Sequence, residues 1–211
     1  MTLMPDVQKG AAVGVEVAHK LEDLTIVAKL DCAASIWHRK LTPAFQAWID
    51  DLDRSILPSA RIILKPQAVQ HALFNLCNEN GLPDGPERRF LIKDISNLAD
   101  VFCRVMDAPF VRVRLERVTT NACRKFHVDS VVARLICTYR GTGTQYSISG
   151  EGSEPKRIFT APTGSAMLLR GKLWPEQPHL GLLHRSPPIE GSGETRLVLV
   201  LDPVFDLEEE V

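Results

Sequence analysis

An excess of charge of either sign is missing from this chain. It has 211 residues, with 25 Lys and Arg against 26 Asp and Glu, for a formal net charge of −1. That balance removes any global electrostatic case for nucleic acid or an anionic membrane as partner. Long apolar runs are missing too. Charges or prolines interrupt each one well before the roughly 20 residues that a spanning helix needs. The apolar stretch Ala11–Ala18 contains Glu16 and follows Asp6, so it does not read as a secretory signal, and a cytoplasmic location is expected. Cys-x-x-Cys pairs are absent. The five cysteines, Cys32, Cys77, Cys103, Cys123 and Cys137, are odd in number and widely spaced. This argues against a disulfide framework and for small buried hydrophobes. A phosphate loop is lacking, because Gly141-Thr-Gly-Thr144 has neither the lysine nor the following helix. No Ser/His/Asp or Cys/His arrangement has sequence support. Neither an internal repeat nor a low-complexity tract is present.

What remains is a globular composition, 45% hydrophobic and 24% charged, in a chain long enough for one well-buried domain. Residues 1–20 show no clear period and are expected to be loosely ordered. Leu24–Ala28 reads as a short strand. Thr42-Pro43 caps and starts a helix whose buried face is Phe45, Trp48, Ile49 and Leu52. The nearby Asp50, Asp51 and Asp53 read as a solvated surface rather than a metal site. A second helix spans Pro66 to Asn80, buries Val69, Leu73 and Leu76, and stops at Gly81. It carries His71 without an evident partner. A turn-rich link through Pro83 and Pro86 leads to a third helix, Glu87 to Asp107, with Leu91, Ile95, Leu98, Phe102 and Val105 on its apolar stripe.

From Phe110 onward the period changes from helical to two. Val111, Val113 and Leu115 alternate with Arg112, Arg114 and Glu116. Further strands are expected at Val131–Tyr139, Gln145–Ser149, Arg157–Thr160, Ala166–Leu169, Gly181–His184 and Arg196–Leu201, separated by Gly- and Pro-rich turns. About seven short strands without intervening helix argue for an antiparallel sandwich or barrel. The expected architecture is α+β: a single domain over 1–211, with a mainly helical annex at 1–108 packed on a jelly-roll core, a double-stranded β-helix, at 109–205.

The chemistry concentrates in this second half. His127-Val128-Asp129 lies between strands, and in extended chain its two polar side chains point the same way. With His184 they make two imidazoles and one carboxylate, the ligand set of a non-haem iron site with open positions. A chelating oxo-acid would take two of those positions and dioxygen the third. Arg196 shares a strand face with Val198 and Val200, and an arginine on an apolar face needs an anionic partner. Either a structural acid or the far carboxylate of 2-oxoglutarate would supply one, the latter gripped by a planar, permanently charged fork. Arg185, next to His184, points to the opposite face and is the weaker alternative. Tyr139 and Arg134 have opposite parity on their strand, so at most one faces the pocket. Tyr139 is assigned to the bound carboxylate, with a core tyrosine as the alternative. Cys123 is a fourth-ligand candidate if the metal is zinc, and His179 is a loop candidate for an extra ligand. Trp174 reads as a packing residue, with the pocket entrance as the alternative. Arg112 and Arg114 share a face and form either an anion site or a solvated sheet face.

His127-x-Asp129, the distal His184 and the following Arg196, in that order, resemble the Fe(II)/2-oxoglutarate-dependent dioxygenases over roughly residues 110–203. That resemblance implies an Fe(II) and 2-oxoglutarate cofactor pair and an oxidation of a small molecule or protein that the sequence does not specify. The chain also resembles a little-studied bacterial family, domain-of-unknown-function family 1826. The segments that carry this are Cys137-Thr-Tyr-Arg-Gly-Thr-Gly-Thr144, Ala161-Pro-Thr-Gly164, His184-Arg-Ser-Pro-Pro188 and Arg196-Leu-Val-Leu-Val-Leu-Asp202. Members of that family tend to be encoded among zinc-responsive genes. The competing reading is therefore a non-enzymatic zinc-binding or metal-homeostasis protein that uses the same His/Asp/His pocket, and a third is a jelly roll that serves only as a binding module. Gln145-Tyr146 departs from the acid–aromatic pair that many oxygenase-like relatives carry after the Gly-Thr turn.

Overall fold

The computed structural model describes residues 14–148, 155, 157–175 and 182–208. In chain order its elements are β1 (Val15–Ala18), β2 (Ala34–Trp37), α1 (Pro43–Asp51), β3 (Ala60–Leu64), α2 (Val69–Glu79), α3 (Pro86–Met106), β4 (Phe110–Val118), β5 (Ala133–Arg140), β6 (Gln145–Ile148), β7 (Phe159–Thr160), β8 (Ala166–Arg170), β9 (Leu182–Arg185) and β10 (Arg196–Val204). Short 3-10 turns precede β2 and α2. The class is mixed α+β. Seven strands form one sheet in the order β1-β2-β8-β5-β10-β4-β3, and three form a second in the order β7-β6-β9. Every pairing is antiparallel except β1 with β2.

The large sheet is a middle layer, and the alternation of its side chains shows this. Leu135, Cys137 and Tyr139 of β5, Leu197, Leu199 and Leu201 of β10, and Val111, Val113 and Leu115 of β4 pack on the helices. Ile136, Val198 and Val200 point the other way, into a second apolar cluster with Tyr146 of β6 and Leu182 of β9. All nine residues of β10 are buried, because it is covered on both faces. The interior between the sheets holds the site described below.

The three helices form where their signals stand. The Thr42 hydroxyl accepts from the Phe45 amide at 3.2 Å, with Pro43 in the first turn. α3 begins at Pro86, buries Leu91, Ile95, Leu98 and Phe102, and stops where Asp107 turns left-handed at φ 50°. No helix among the described residues is long and apolar enough to cross a membrane.

Three expectations change. Leu24–Ala28 is not a strand but part of a 3-10 helix, Leu21–Ala28. Leu21, Leu24 and Val27 recur every three residues, the 3-10 period, and all three pack on the helical-side core. Residues 15–18, expected to be loose, form an edge strand, while residues 1–13 lie outside the described residues. Finally, the first half is not only helical: β1, β2 and β3 supply both edges of the large sheet. Ala34–Trp37 is too short to show a period, and Ala-Arg-Ile-Ile-Leu of β3 does not alternate cleanly, so neither announces itself.

Candidate metal centre

His127 and His184 are cross-strand neighbours. The His127 amide donates to the His184 carbonyl at 3.1 Å, and the His184 amide returns the bond at 3.0 Å. Such a directly opposed pair puts both side chains on one face, and the ring centroids lie 4.6 Å apart. Asp129, two residues on, reaches the same point. Its Oδ1 is 3.4 Å from His127 Nε2, and its Oδ2 is 3.0 Å from His184 Nε2. One ligand atom from each residue lies within 4.8 Å of the other two. The segment carrying Asp129 is pinned from behind, since Lys172 N donates to the Asp129 carbonyl at 2.8 Å and Gly171 N to the Val132 carbonyl at 2.8 Å. Only glycine fits at 171, because a Cβ there would sit 1.9 Å from the Val131 oxygen.

The donor set is prepared for a cation. His127 Nδ1 lies 2.9 Å from the Lys125 carbonyl oxygen. An acceptor there calls for a proton on Nδ1 and leaves Nε2 with a lone pair toward Asp129. Asp129 Oδ2 is buried and, despite its nearness to His184, has no partner in hydrogen-bond geometry. Two imidazole nitrogens and a carboxylate converge with too few protons among them, which fits a divalent ion of the iron or zinc type. Burial works to raise the Asp129 pKa. The nearby His127 and His184 rings and the Arg134 guanidinium outweigh it and hold the carboxyl well below its usual range. Asp129 in turn raises the His127 imidazole against the lowering effect of burial. The His127 side chain is 35% exposed while those of Asp129 and His184 are under 10%, so the centre opens on the His127 side.

Arg196 enters the same interior from the start of β10 and is 1% exposed. Its Nε donates to the Thr142 carbonyl at 2.6 Å, Nη1 to Ser186 Oγ at 3.3 Å and Nη2 to Thr138 Oγ1 at 3.3 Å. Among the described residues no carboxylate lies within 4.0 Å of it. Burial pushes its pKa down to about 10, opposed by the charge of Glu194, whose carboxylate is occupied by the Thr142 amide and hydroxyl. Ser186 lies two residues from His184 along extended chain, roughly 7 Å. The guanidinium and the metal centre are thus connected through one short strand.

Tyr139 does not line this pocket. It points to the helices, fully buried, and its hydroxyl donates to Asp94 Oδ2 at 2.5 Å. Burial and the Asp94 charge raise the phenol well above its usual value. The neighbouring Thr138 faces the site instead, as strand parity requires. Cys123 is exposed and is not among the converging atoms. Trp174 packs on the helical-side core beneath Arg170, not at an entrance. Arg185 faces away, bonding Gln145 at 2.8 Å and stacking on Phe126. His71 is exposed on α2, 3.3 Å from Asn75, Asp50, Asp51 and Asp53 are exposed, and His179 lies outside the described residues.

Two site residues had no sequence argument for this role. Arg134 donates to Asp129 and, through Nε at 2.6 Å, to Asp202 Oδ1. Asp202 is 2% exposed. Their signal was parity, because Arg134 alternates with Leu135, and Asp202 shares the face of Val198 and Val200.

The fold has solved counterparts. The dioxygenase for auxin oxidation 1 from Arabidopsis thaliana, in a binary complex with 2-oxoglutarate, superposes with a TM-score of 0.56 at 9% identity, over 93% of this chain and 94% of that one. The dioxygenase for auxin oxidation in rice superposes with a TM-score of 0.51 at 12% identity, over 91% and 83%. At such identities the likeness speaks to the fold alone. No curated protein matches by sequence. The model of a family described as a protein of unknown function, domain-of-unknown-function family 1826, matches residues 18–202, and the chain belongs to that family.

Proposed function

We propose that this protein is an Fe(II)- and 2-oxoglutarate-dependent oxygenase. The observation that carries the reading is Arg196, a buried guanidinium with no carboxylate within 4.0 Å among the described residues and one strand step from a His/Asp/His centre. A zinc site with no enzymatic role needs the three ligands but has no use for that arginine. An uncompensated buried charge is expensive and is explained by an anion that arrives from outside.

His127, Asp129 and His184 would hold the metal on one side and leave open positions. Arg196 would receive the far carboxylate of the oxo-acid, with the Thr138 and Ser186 hydroxyls fixing the plane of its fork. Ile136, Val198 and Val200 line the interior between and exclude water. When bound, ferrous ion and oxo-acid supply the oxygen-activating chemistry, and the chain supplies binding and orientation.

The test is spectroscopic. Anaerobic addition of Fe(II) and then 2-oxoglutarate to folded protein is expected to give a visible metal-to-ligand charge-transfer band. Absence of that band in protein that has taken up metal would sink the cosubstrate assignment.

A further inference from the structure

A second cationic cluster lies on the inner face of the large sheet, at the opposite end of β10 from Arg196. Arg112 stands beside Asp202 across the β4–β10 pairing, Arg114 stands beside Val200, and Arg61 of β3 is opposite Arg114. Arg134 reaches the same spot from β5. Asp202 accepts from Arg134 Nε at 2.6 Å and Nη2 at 3.1 Å, and from Arg114 Nη2 at 3.1 Å. One buried carboxylate therefore serves two guanidiniums, while Asp129, the other acid that Arg134 touches, belongs to the metal centre. Glu116 is 3.7 Å from Arg114 Nη1, but its side chain is 45% exposed and offsets little. The Arg114 side chain is 18% exposed, and its Nε is a buried donor without a hydrogen-bond partner among the described residues. A buried guanidinium N–H without an acceptor among the described residues, beside two further guanidiniums, points to an oxyanion as its partner.

Position gives this its meaning. Asp202 and Arg196 are six residues apart on one extended strand, about 20 Å. The metal centre is tied to both ends, through Ser186 to Arg196 and through Arg134 to Asp202. The centre thus lies between two arginine sites. Only one is needed for an oxo-acid that also chelates the metal.

We propose that the Arg114 cluster binds an oxyanion of the substrate, a carboxylate or a phosphate, and so holds the substrate on the side of the metal away from Arg196. The proposal deepens the oxygenase reading and rests on it for the word substrate, whereas the anion site itself does not. Arg114 Nε supplies the open donor, and Arg134 and Asp202 fix the orientation of Arg114. A guanidinium suits either oxyanion.

The test uses the full chain loaded with Mn(II), which takes the same nitrogen and oxygen ligands and broadens the resonances of nuclei held near it. With 2-oxoglutarate at saturation, inorganic phosphate is titrated and followed by 31P relaxation, and labelled acetate separately by 13C relaxation. At least one of the two is expected to be relaxed by the bound metal. Arg114→Gln is expected to weaken that binding by about 10- to 100-fold, the worth of one charge-assisted hydrogen bond. Arg196→Met is expected to abolish 2-oxoglutarate binding and leave the phosphate or acetate effect in place. Should Arg114→Gln not fold, Arg114→Lys keeps the charge, lacks the Nε–H, and is expected to show a several-fold loss. Relaxation of phosphate alone identifies a phosphate site, and of acetate alone a carboxylate site. Equal relaxation in wild type and in the folded Arg114 variant, or none with either anion, overturns the proposal. Failure of the oxygenase reading looks different: 2-oxoglutarate does not bind, while the anion still responds to Arg114.

Discussion

Replacing Arg196 by Met separates a guanidinium that waits for a ligand from one that holds the fold together. In the folded chain burial pushes Arg196 down to about 10, well below its usual value. Its charge therefore carries on the order of 3 kcal/mol of unfavourable folding free energy. The folded chain binds that proton more weakly than the unfolded chain does. The cost is thus present at any pH below about 10 and fades as pH rises from there into the usual arginine range. Met fills much of the same volume and removes the charge, but leaves the Thr142 carbonyl without its 2.6 Å donor, a loss of about 1–3 kcal/mol. These opposing terms put Arg196→Met within about 2 kcal/mol of wild type in urea unfolding. An arginine in a structural buried ion pair would cost about 3–5 kcal/mol. Ligand binding should respond oppositely. Two charge-assisted hydrogen bonds at about 1.5–3 kcal/mol each predict a 2-oxoglutarate affinity lower by roughly 10²- to 10⁴-fold. At one hundred times Kd the ligand stabilises wild type by about 2.7 kcal/mol, or roughly 5–10 °C in Tm for a chain of this size. That gain should vanish in the variant. A variant that is several kcal/mol less stable, yet keeps the 2-oxoglutarate-dependent rise in Tm, would refute the reasoning.

Other consequences are independent of that one. His127→Ala should reduce bound Fe(II) or Zn(II) to near zero by elemental analysis, with little change in stability because the side chain is 35% exposed; unchanged metal content would remove the centre altogether. Gly171→Ala should weaken metal binding and lower Tm together, since the added Cβ presses on the Val131 oxygen at 1.9 Å and the Asp129 oxygen at 3.0 Å. Asp94→Ala should cost about 3–5 kcal/mol in unfolding without loss of metal. It strands the Arg39 guanidinium, now paired at 2.5 and 2.6 Å, and the Tyr139 hydroxyl, all on the helical side of the sheet.

Local chemistry was legible where a residue's role is set by its immediate neighbours. The Thr42-Pro43 cap, the stripe of α3 and the alternation in β4 all follow from short-range rules. The edge strands were not legible, because what makes β1 a strand is its pairing with β2, and what makes β3 one is its pairing with β4. Neither four residues of Val-Glu-Val-Ala nor five of Ala-Arg-Ile-Ile-Leu carry that information alone. Leu24 and Val27 were misread for the complementary reason: three-residue spacing and β-branched composition point to different elements, and burial on the core decided between them.

The site shows the same division more sharply. Parity placed Arg196 with Val198 and Val200, and it also ruled that Tyr139 and Arg134 could not both face the pocket. It left open which of them does, and the hydroxyl of Tyr139 made the wrong choice attractive. Cross-strand registration settles the matter. Leu201 stands opposite Leu135 and Val200 opposite Ile136, so Asp202 and Arg134 share the pocket face, while Tyr139 alternates with Leu135 and Cys137 on the helical side. The acid that orients Arg134 lies 68 residues away in sequence, at the end of a strand that reads as plain apolar core. A candidate metal triad spaced as His-x-Asp and a later His can be found by inspection. The arginines beside it, Arg134 and Arg196, are placed by strand register, and register is a property of the folded sheet.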